Sequence, residues 1–360
     1  MCIRDSWIGG PGATGFEAVG KVLNGEVNPS GRLIDTYAYD VTSSPAYYNS
    51  GDYSYLNSEH EVMGMGGATT ESYKYVDYAE GIYVGYRYYE TRWIDNSNGE
   101  CDEDAYHEAV QYPFGYGLSY TEFKQKIDSF EVKDGIVSVD VEVTNIGDTA
   151  GKDVVQVYYT APYENGGIEK SHVVLGGFGK TQTLESGKSE TVNISFAVED
   201  MASYDYAGEG CYVLDAGEYE IKLMSNAHDV IEKETYTVDE KIVYNEDNKR
   251  STDEITAVNH FDDVSNGSGL TYVSRADWEG TLPTERIMEK EAGEGILEAM
   301  ANTSELEDAG DEKITTGADN GLSLANLRGK DYDDEQWDAL LDQMTIEEMS
   351  NLIGYGAYST

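Results

Sequence analysis

The chain has 360 residues, enough for two or three domains, and its 39% hydrophobic and 26% charged residues are ordinary for a globular protein. The charge balance is not ordinary: 69 acidic residues face 24 basic ones, a formal net charge of −45. Such a surface repels phosphate backbones and anionic lipid heads, so nucleic acid and membranes are poor partners, while a neutral sugar meets no repulsion. Cys2, Cys101 and Cys211 are odd in number and widely spaced, and the five histidines (His60, His107, His172, His228, His260) form no HExxH pattern. Neither a disulfide framework, a metal site nor a cofactor is expected from them. No apolar run approaches the ~20 residues of a membrane span. The opening Met1-Cys2-Ile3-Arg4-Asp5-Ser6 has no signal-peptide core and does not read as the start of a domain. It is taken as a scar, with the native chain expected to begin upstream, so localisation is unreadable.

In chain order, Trp7 to Gly15 is a Gly-rich loop, and Phe16 to Leu23 predicts a short helix stopped by Asn24-Gly25 and the turn cluster Asn28-Pro29-Ser30-Gly31. Residues 40–75, rich in Tyr, Ser and Gly, read as a long excursion. Gly81 to Tyr89 predicts a buried strand, and Asp95 to Glu108 a solvated acidic loop without calcium-loop spacing. Over 126–240 the pattern turns all-β. Val137, Val139, Val141 and Val143 alternate with polar residues, as do Val192, Ile194, Phe196 and Val198. Val154 to Tyr159 and Glu218 to Leu223 add strands, and Asn145 to Asp148, Ser186-Gly187 and Ala216-Gly217 mark turns. Short alternating strands over about 100 residues fit an immunoglobulin-like sandwich. Acidic stretches without periodicity occupy 245–254 and 305–319. Near the end, Trp337, Leu340, Leu341 and Met344 read as helical, and Thr345 with Glu348 forms a capping-box pattern before Met349, Leu352 and Ile353. The 30 tyrosines could stack on sugars, but Tyr is also a common strand and core residue.

Three strings together carry a resemblance. Trp7-Ile8-Gly9-Gly10-Pro11-Gly12 through Leu23-Asn24-Gly25 and Asn28-Pro29-Ser30-Gly31-Arg32-Leu33 is the first. Glu80 to Tyr89 is the second, and Tyr112-Pro113-Phe114-Gly115-Tyr116-Gly117-Leu118-Ser119-Tyr120-Thr121 with Phe123 is the third. In this order they resemble the C-terminal α/β domain of family 3 glycoside hydrolases. Val143-Thr144-Asn145, Val155 to Tyr158 and Leu175 to Lys180 resemble the family's fibronectin type III-like domain, and Trp337 to Gly356 resembles the helix opening its barrel.

The resemblance implies four parts: a partial α/β domain (7–125), a fibronectin type III-like sandwich (126–240), a linker or leader (241–335), and the truncated helical start of a (β/α)8 barrel (336–360). With the barrel's beginning last, the order is that of circularly permuted members. It implies a retaining β-glucosidase-type enzyme acting on an oligosaccharide or β-glucoside, with an Asp nucleophile late in the barrel and a Glu acid/base upstream of the Trp7 loop. Both should then lie outside 1–360, so no catalytic residue is assigned and the fragment is expected to be inactive. Ser274-Arg275-Ala276-Asp277-Trp278 resembles the surroundings of the nucleophile, but it precedes the barrel helix. Asp277 is therefore read as part of a leader in which Arg275 and Pro283 pin an extended segment. The Gly10-Pro11-Gly12 loop could approach a ligand or simply turn; Gly85, Gly115 and Gly117 are read as close-packing positions, Arg87 as an interface ion-pair partner in preference to a sugar-hydroxyl ligand, and Phe114 and Tyr116 as packing at the domain join in preference to lining of the cleft. The alternative function is a non-catalytic carbohydrate-binding or scaffold protein built on the sandwich.

Overall fold

The computed structural model describes residues 8–10, 12, 14–64, 67–259, 270–301 and 316–355. The chain forms two compact units, Met1–Ala301 and Asn302–Thr360.

In the first unit, helix α1 (Phe16–Leu23) ends where the sequence places its stop: Asn24 donates its backbone N–H to the Gly20 carbonyl and Gly25 follows at φ +79°. Strand β1 (Tyr37–Ala38) leads into a hairpin of β2 (Ser54–Gly64) and β3 (Gly67–Lys74), so the Tyr- and Ser-rich excursion is largely strand. The expected strand at Gly81–Tyr89 is not there. A turn runs to Val84, and helix α2 (Tyr86–Arg92) begins immediately after Gly85. Gly85 sits at φ +56°, ψ −133°, which breaks an extended run. Beyond it, Tyr88, Tyr89 and Trp93 recur at helical spacing and pack with Tyr83 and Tyr106. The acidic loop also contains structure. Helix α3 (Glu103–Ala109) is capped by Asp102, whose carboxylate accepts from Ala105 N at 3.1 Å, and is anchored by the buried Tyr106. Strand β4 (Val110–Tyr112) then pairs with β1.

The sandwich follows, with strands β5 (Phe123–Lys133), β6 (Ile136–Asn145), β7 (Val154–Thr160), β8 (Val174–Lys180) and β9 (Ser189–Ala197). After these come β10 (Ser203–Tyr204), β11 (Tyr212–Leu214), β12 (Gly217–Met224), β13 (Val230–Val238) and β14 (Ile242–Tyr244). Sheet β5-β6-β9 faces sheet β13-β12-β7-β8, and β10-β11-β14 makes a smaller third sheet. The alternation in β6 is realised: Val137, Val139, Val141 and Val143 are all at most 1% exposed and meet Val155, Val157, Ile194, Ile221 and Leu223 in one core. Each such side chain contributes about 1.5–3 kcal/mol of apolar burial. Strand β7 is buried on both faces. Val155 and Val157 face the core, while Gln156 and Tyr158 face the preceding α/β segment.

Part of the stretch read as a leader docks back onto the beginning of the chain. Helix α4 (Trp278–Thr281) brings Trp278 against Tyr83 and Tyr88. Strand β15 (Glu289–Lys290) joins β2 in parallel, and helix α5 (Glu294–Ala301) puts Ile296 on Tyr55. Asn57 donates to the Ala292 carbonyl at 3.0 Å and accepts from Ala292 N at 2.8 Å. Arg275 is buried and pins this segment, donating to Asn96 Oδ1 and the Lys170 carbonyl, both at 2.9 Å, with its guanidinium over the Tyr163 ring. The acidic run 305–319 lies mostly outside the described residues.

In the second unit, helices α6 (Gln336–Leu341) and α7 (Ile346–Tyr355) occupy the stretch read as helical. Thr345 Oγ1 accepts from Glu348 N at 3.2 Å, and Glu348 Oε2 accepts from Thr345 N at 2.9 Å, the reciprocal capping box read from the sequence.

Candidate functional site

The resemblance-bearing strings converge on one place, the joint between the α/β segment and the sandwich. Asn28 Oδ1 accepts from Tyr120 N (2.8 Å) and Ser119 Oγ (2.9 Å), and its Nδ2 donates to the Ala150 carbonyl (3.1 Å). Arg32 forms an ion pair with the buried Asp153 at 2.5 Å. The ion pairs among the described residues include Arg32 here and not Arg87. Leu33 and the Gly115–Tyr116 pair exchange backbone hydrogen bonds at 2.8 Å. Gly115, at φ +80°, lets its carbonyl reach the buried Gln156, whose Nε2 donates to it at 3.1 Å and to the Ser225 carbonyl at 3.0 Å. A Cβ on Gly117 would overlap the Gly31 carbonyl oxygen. Phe114 stacks on Tyr86 at 4.6 Å beside Tyr158 and Met224, and Tyr116 stacks on Tyr112. The glycines and aromatics of the third string are thus packing devices, as read from the sequence. Trp7 and Pro11 lie outside the described residues, and Gly12 takes a turn-like φ of +64°.

The model of the fibronectin type III-like domain matches residues 153–227, inside the sandwich. A β-glucosidase of Ruminococcus albus is 33% identical over 336 residues, covering 90% of this chain and 31% of the relative. β-Glucosidase A of Butyrivibrio fibrisolvens is 38% identical over 246 residues, 62% of this chain and 25% of the relative. Among solved structures, the β-glucosidase of Paenibacillus barengoltzii matches with a TM-score of 0.52 and 34% identity over 64% of this chain and 22% of its own. β-Glucosidase 3B of Thermotoga neapolitana matches with a TM-score of 0.50 and 32% identity over 63% and 27%. The chain is related to the β-glucosidases of glycoside hydrolase family 3. It spans 25% and 31% of the length of the Butyrivibrio fibrisolvens and Ruminococcus albus relatives.

The buried carboxylates Glu80, Glu90 and Asp153 and the partly buried Glu169 have structural partners. Glu169 accepts from Tyr83 Oη, Ser274 Oγ and, at 3.2 Å, Arg275 N, which ties the 270s segment to the sandwich. Burial, then the Glu169 hydrogen bond, pushes the Tyr83 hydroxyl far up. Glu80 accepts from Asn49 Nδ2. Asp277 is exposed and caps α4, its Oδ1 accepting from Gly280 N at 2.9 Å. That supports reading it as part of a structural segment.

A second cluster was not foreseen from the sequence. Glu90, buried on α2, accepts from Tyr106 Oη at 2.6 Å through Oε1 and lies 2.9 Å from His228 Nδ1 through Oε2. His228 stacks face to face on Tyr106, centroids 3.7 Å apart, and its Nε2 is 2.9 Å from Glu103 Oε2. Burial alone would lower the His228 imidazole; the hydrogen bonds and charges of Glu90 and then Glu103 override it and push it up to about 9. Burial also pushes the Tyr106 hydroxyl far up, so it remains a donor. Glu90 and His228 are 138 residues apart, and no local spacing signals the pair.

Proposed function

We propose that this chain supplies the α/β-to-sandwich joint of a retaining β-glycosidase that hydrolyses β-glucosides or β-linked oligosaccharides, with the catalytic nucleophile and acid/base carried by residues outside 1–360. The order-preserving match to the Ruminococcus albus β-glucosidase carries this reading, because it covers 90% of the chain and so runs well past residue 240. On this reading, 241–335 is a leader and 336–360 the start of a barrel. The Thermotoga neapolitana relative was solved with α-D-glucose, in keeping with a glucoside ligand. Retaining hydrolysis needs two carboxyl groups ~5–5.5 Å apart across one anomeric carbon, one of them free to cycle its proton. In this chain Glu80, Glu90 and Glu169 are occupied by fixed partners, and Asp277 caps a helix.

The test compares purified 1–360 with the product of the full-length gene on aryl β-glucosides. The full-length product should release the aryl group and 1–360 should not. Turnover by 1–360 that disappears in Asp277→Asn would place the active site within this chain. A full-length product without glycosidase activity would sink the enzyme reading in favour of a sugar-binding scaffold.

A further inference from the structure

Helix α3 presents Glu103 and His107 four residues apart, hence on one face, with His107 Nε2 3.7 Å from Glu103 Oε2. Facing them is His228, in the turn between β12 and β13. That turn is fixed by Asn226, whose Oδ1 accepts from His228 N at 2.8 Å and Asp229 N at 2.9 Å. The His228 ring cannot swing freely. Tyr106 stacks on its face, and the buried Glu90 holds Nδ1, itself held by Tyr106 Oη. With Nδ1 committed to Glu90, Nε2 is the atom directed at Glu103 and His107.

We infer that Glu103, His107 and His228 form a divalent transition-metal site, best suited to Zn2+, that clips helix α3 to the sandwich. One carboxylate oxygen and two imidazole nitrogens lie within 4.8 Å of one another. Zinc bonds of ~2.0–2.2 Å place tetrahedral donors roughly 3.3–3.5 Å apart, so the 2.9 Å Glu103–His228 contact would open slightly and His107 would close toward His228, movements within reach of the exposed Glu103 and His107 side chains. Two nitrogen donors and one oxygen suit Zn2+ and disfavour Ca2+ or Mg2+, which take oxygen sets. Glu90 behind His228 is the carboxylate–histidine support that metal-bound imidazoles usually have: it fixes the tautomer and the ring orientation. Any proton on Nε2 leaves to solvent as the metal arrives. Three protein ligands leave a fourth position for water. The clip ties together elements separated in sequence by strands β5 to β12.

The experiment titrates the chelator-stripped 360-residue chain with ZnCl2 by calorimetry and follows Co2+ substitution by visible absorption. The expected result is one tight site per chain, a tetrahedral-type Co2+ spectrum and a Zn2+-dependent rise in unfolding temperature. His107→Ala alters an exposed side chain and should leave the fold intact while weakening Zn2+ at least tenfold and removing the thermal shift. Glu90→Gln should weaken it about ten- to hundredfold through loss of the support, and His60→Ala should change nothing. Equal Zn2+ affinity in wild type and His107→Ala, or an octahedral Co2+ spectrum only, would mean that the acidic surface binds the metal diffusely and would overturn the assignment.

Discussion

Gly115→Ala tests whether the joint is as tightly built as its geometry indicates. Gly115 sits at φ +80°, so any Cβ brings about 1–2 kcal/mol of backbone strain. The added Cβ would overlap Gln156 Oε1 and stand 3.0 Å from its Cδ. A surface glutamine would move aside. Gln156 is 3% exposed, donates to the Gly115 and Ser225 carbonyls and accepts from Tyr158 Oη at 2.8 Å, so displacing it strands buried polar groups. Leaving one or two unpaired costs a further ~2–4 kcal/mol, for a total of about 3–6 kcal/mol. Gly135→Ala is the control: its φ of +76° is nearly the same, but an added Cβ meets nothing within 4 Å, so only the strain remains. Urea unfolding of both variants, followed by near-ultraviolet circular dichroism of the sandwich aromatics, gives the comparison. If Gly115→Ala is no more destabilising than Gly135→Ala, the Gln156 contact does not hold the joint and the role assigned to this motif is wrong.

Two further predictions concern the sandwich. Val141, fully buried on β6 opposite Val192, should not tolerate Asp: an unpaired carboxylate there costs several kcal/mol or must take up a proton, while Glu142→Ala on the outward face should stay within about 0.5 kcal/mol. Chemical denaturation that ranked the two alike would put the register off by one. The second is acid sensitivity from His172, whose imidazole is pushed down to about 3 by burial, then by the charges of Lys222 and Arg275, with Glu220 opposing and His228 adding to the shift. The native state keeps this ring neutral and the unfolded chain protonates it, so its contribution is intact above about pH 6.5 and lost as pH falls toward 3. By pH 5 that is about 2 kcal/mol. His172→Gln should flatten the stability profile between pH 6.5 and 5; a profile as steep as that of wild type would show that His172 is not the group responsible.

What the sequence settled alone are features whose cause is local. The valine alternation of β6 sets one face inward whatever it packs against, Asn24-Gly25 ends α1, and Thr345 with Glu348 caps α7 through side chains three residues apart. The recurrence of family strings identified the relatives, because glycines at Gly115 and Gly117 answer a steric demand that few other residues meet. Tertiary structure decided the rest. Gly81–Tyr89 reads as a strand by composition, yet Gly85 breaks it and an aromatic core winds the remainder into helix. Propensity is worth tenths of a kcal/mol per residue, and burying Tyr88 and Tyr89 outweighs it. The Asp95–Glu108 stretch looked solvated because one buried side chain, Tyr106, anchors its helix. The Glu90–His228–Glu103 cluster, joining residues up to 138 positions apart, exists only because the sandwich turn docks on α2 and α3. Periodicity encodes which face of an element is buried; it carries no record of which distant element will cover that face, and pairing between distant charges is fixed only by that choice.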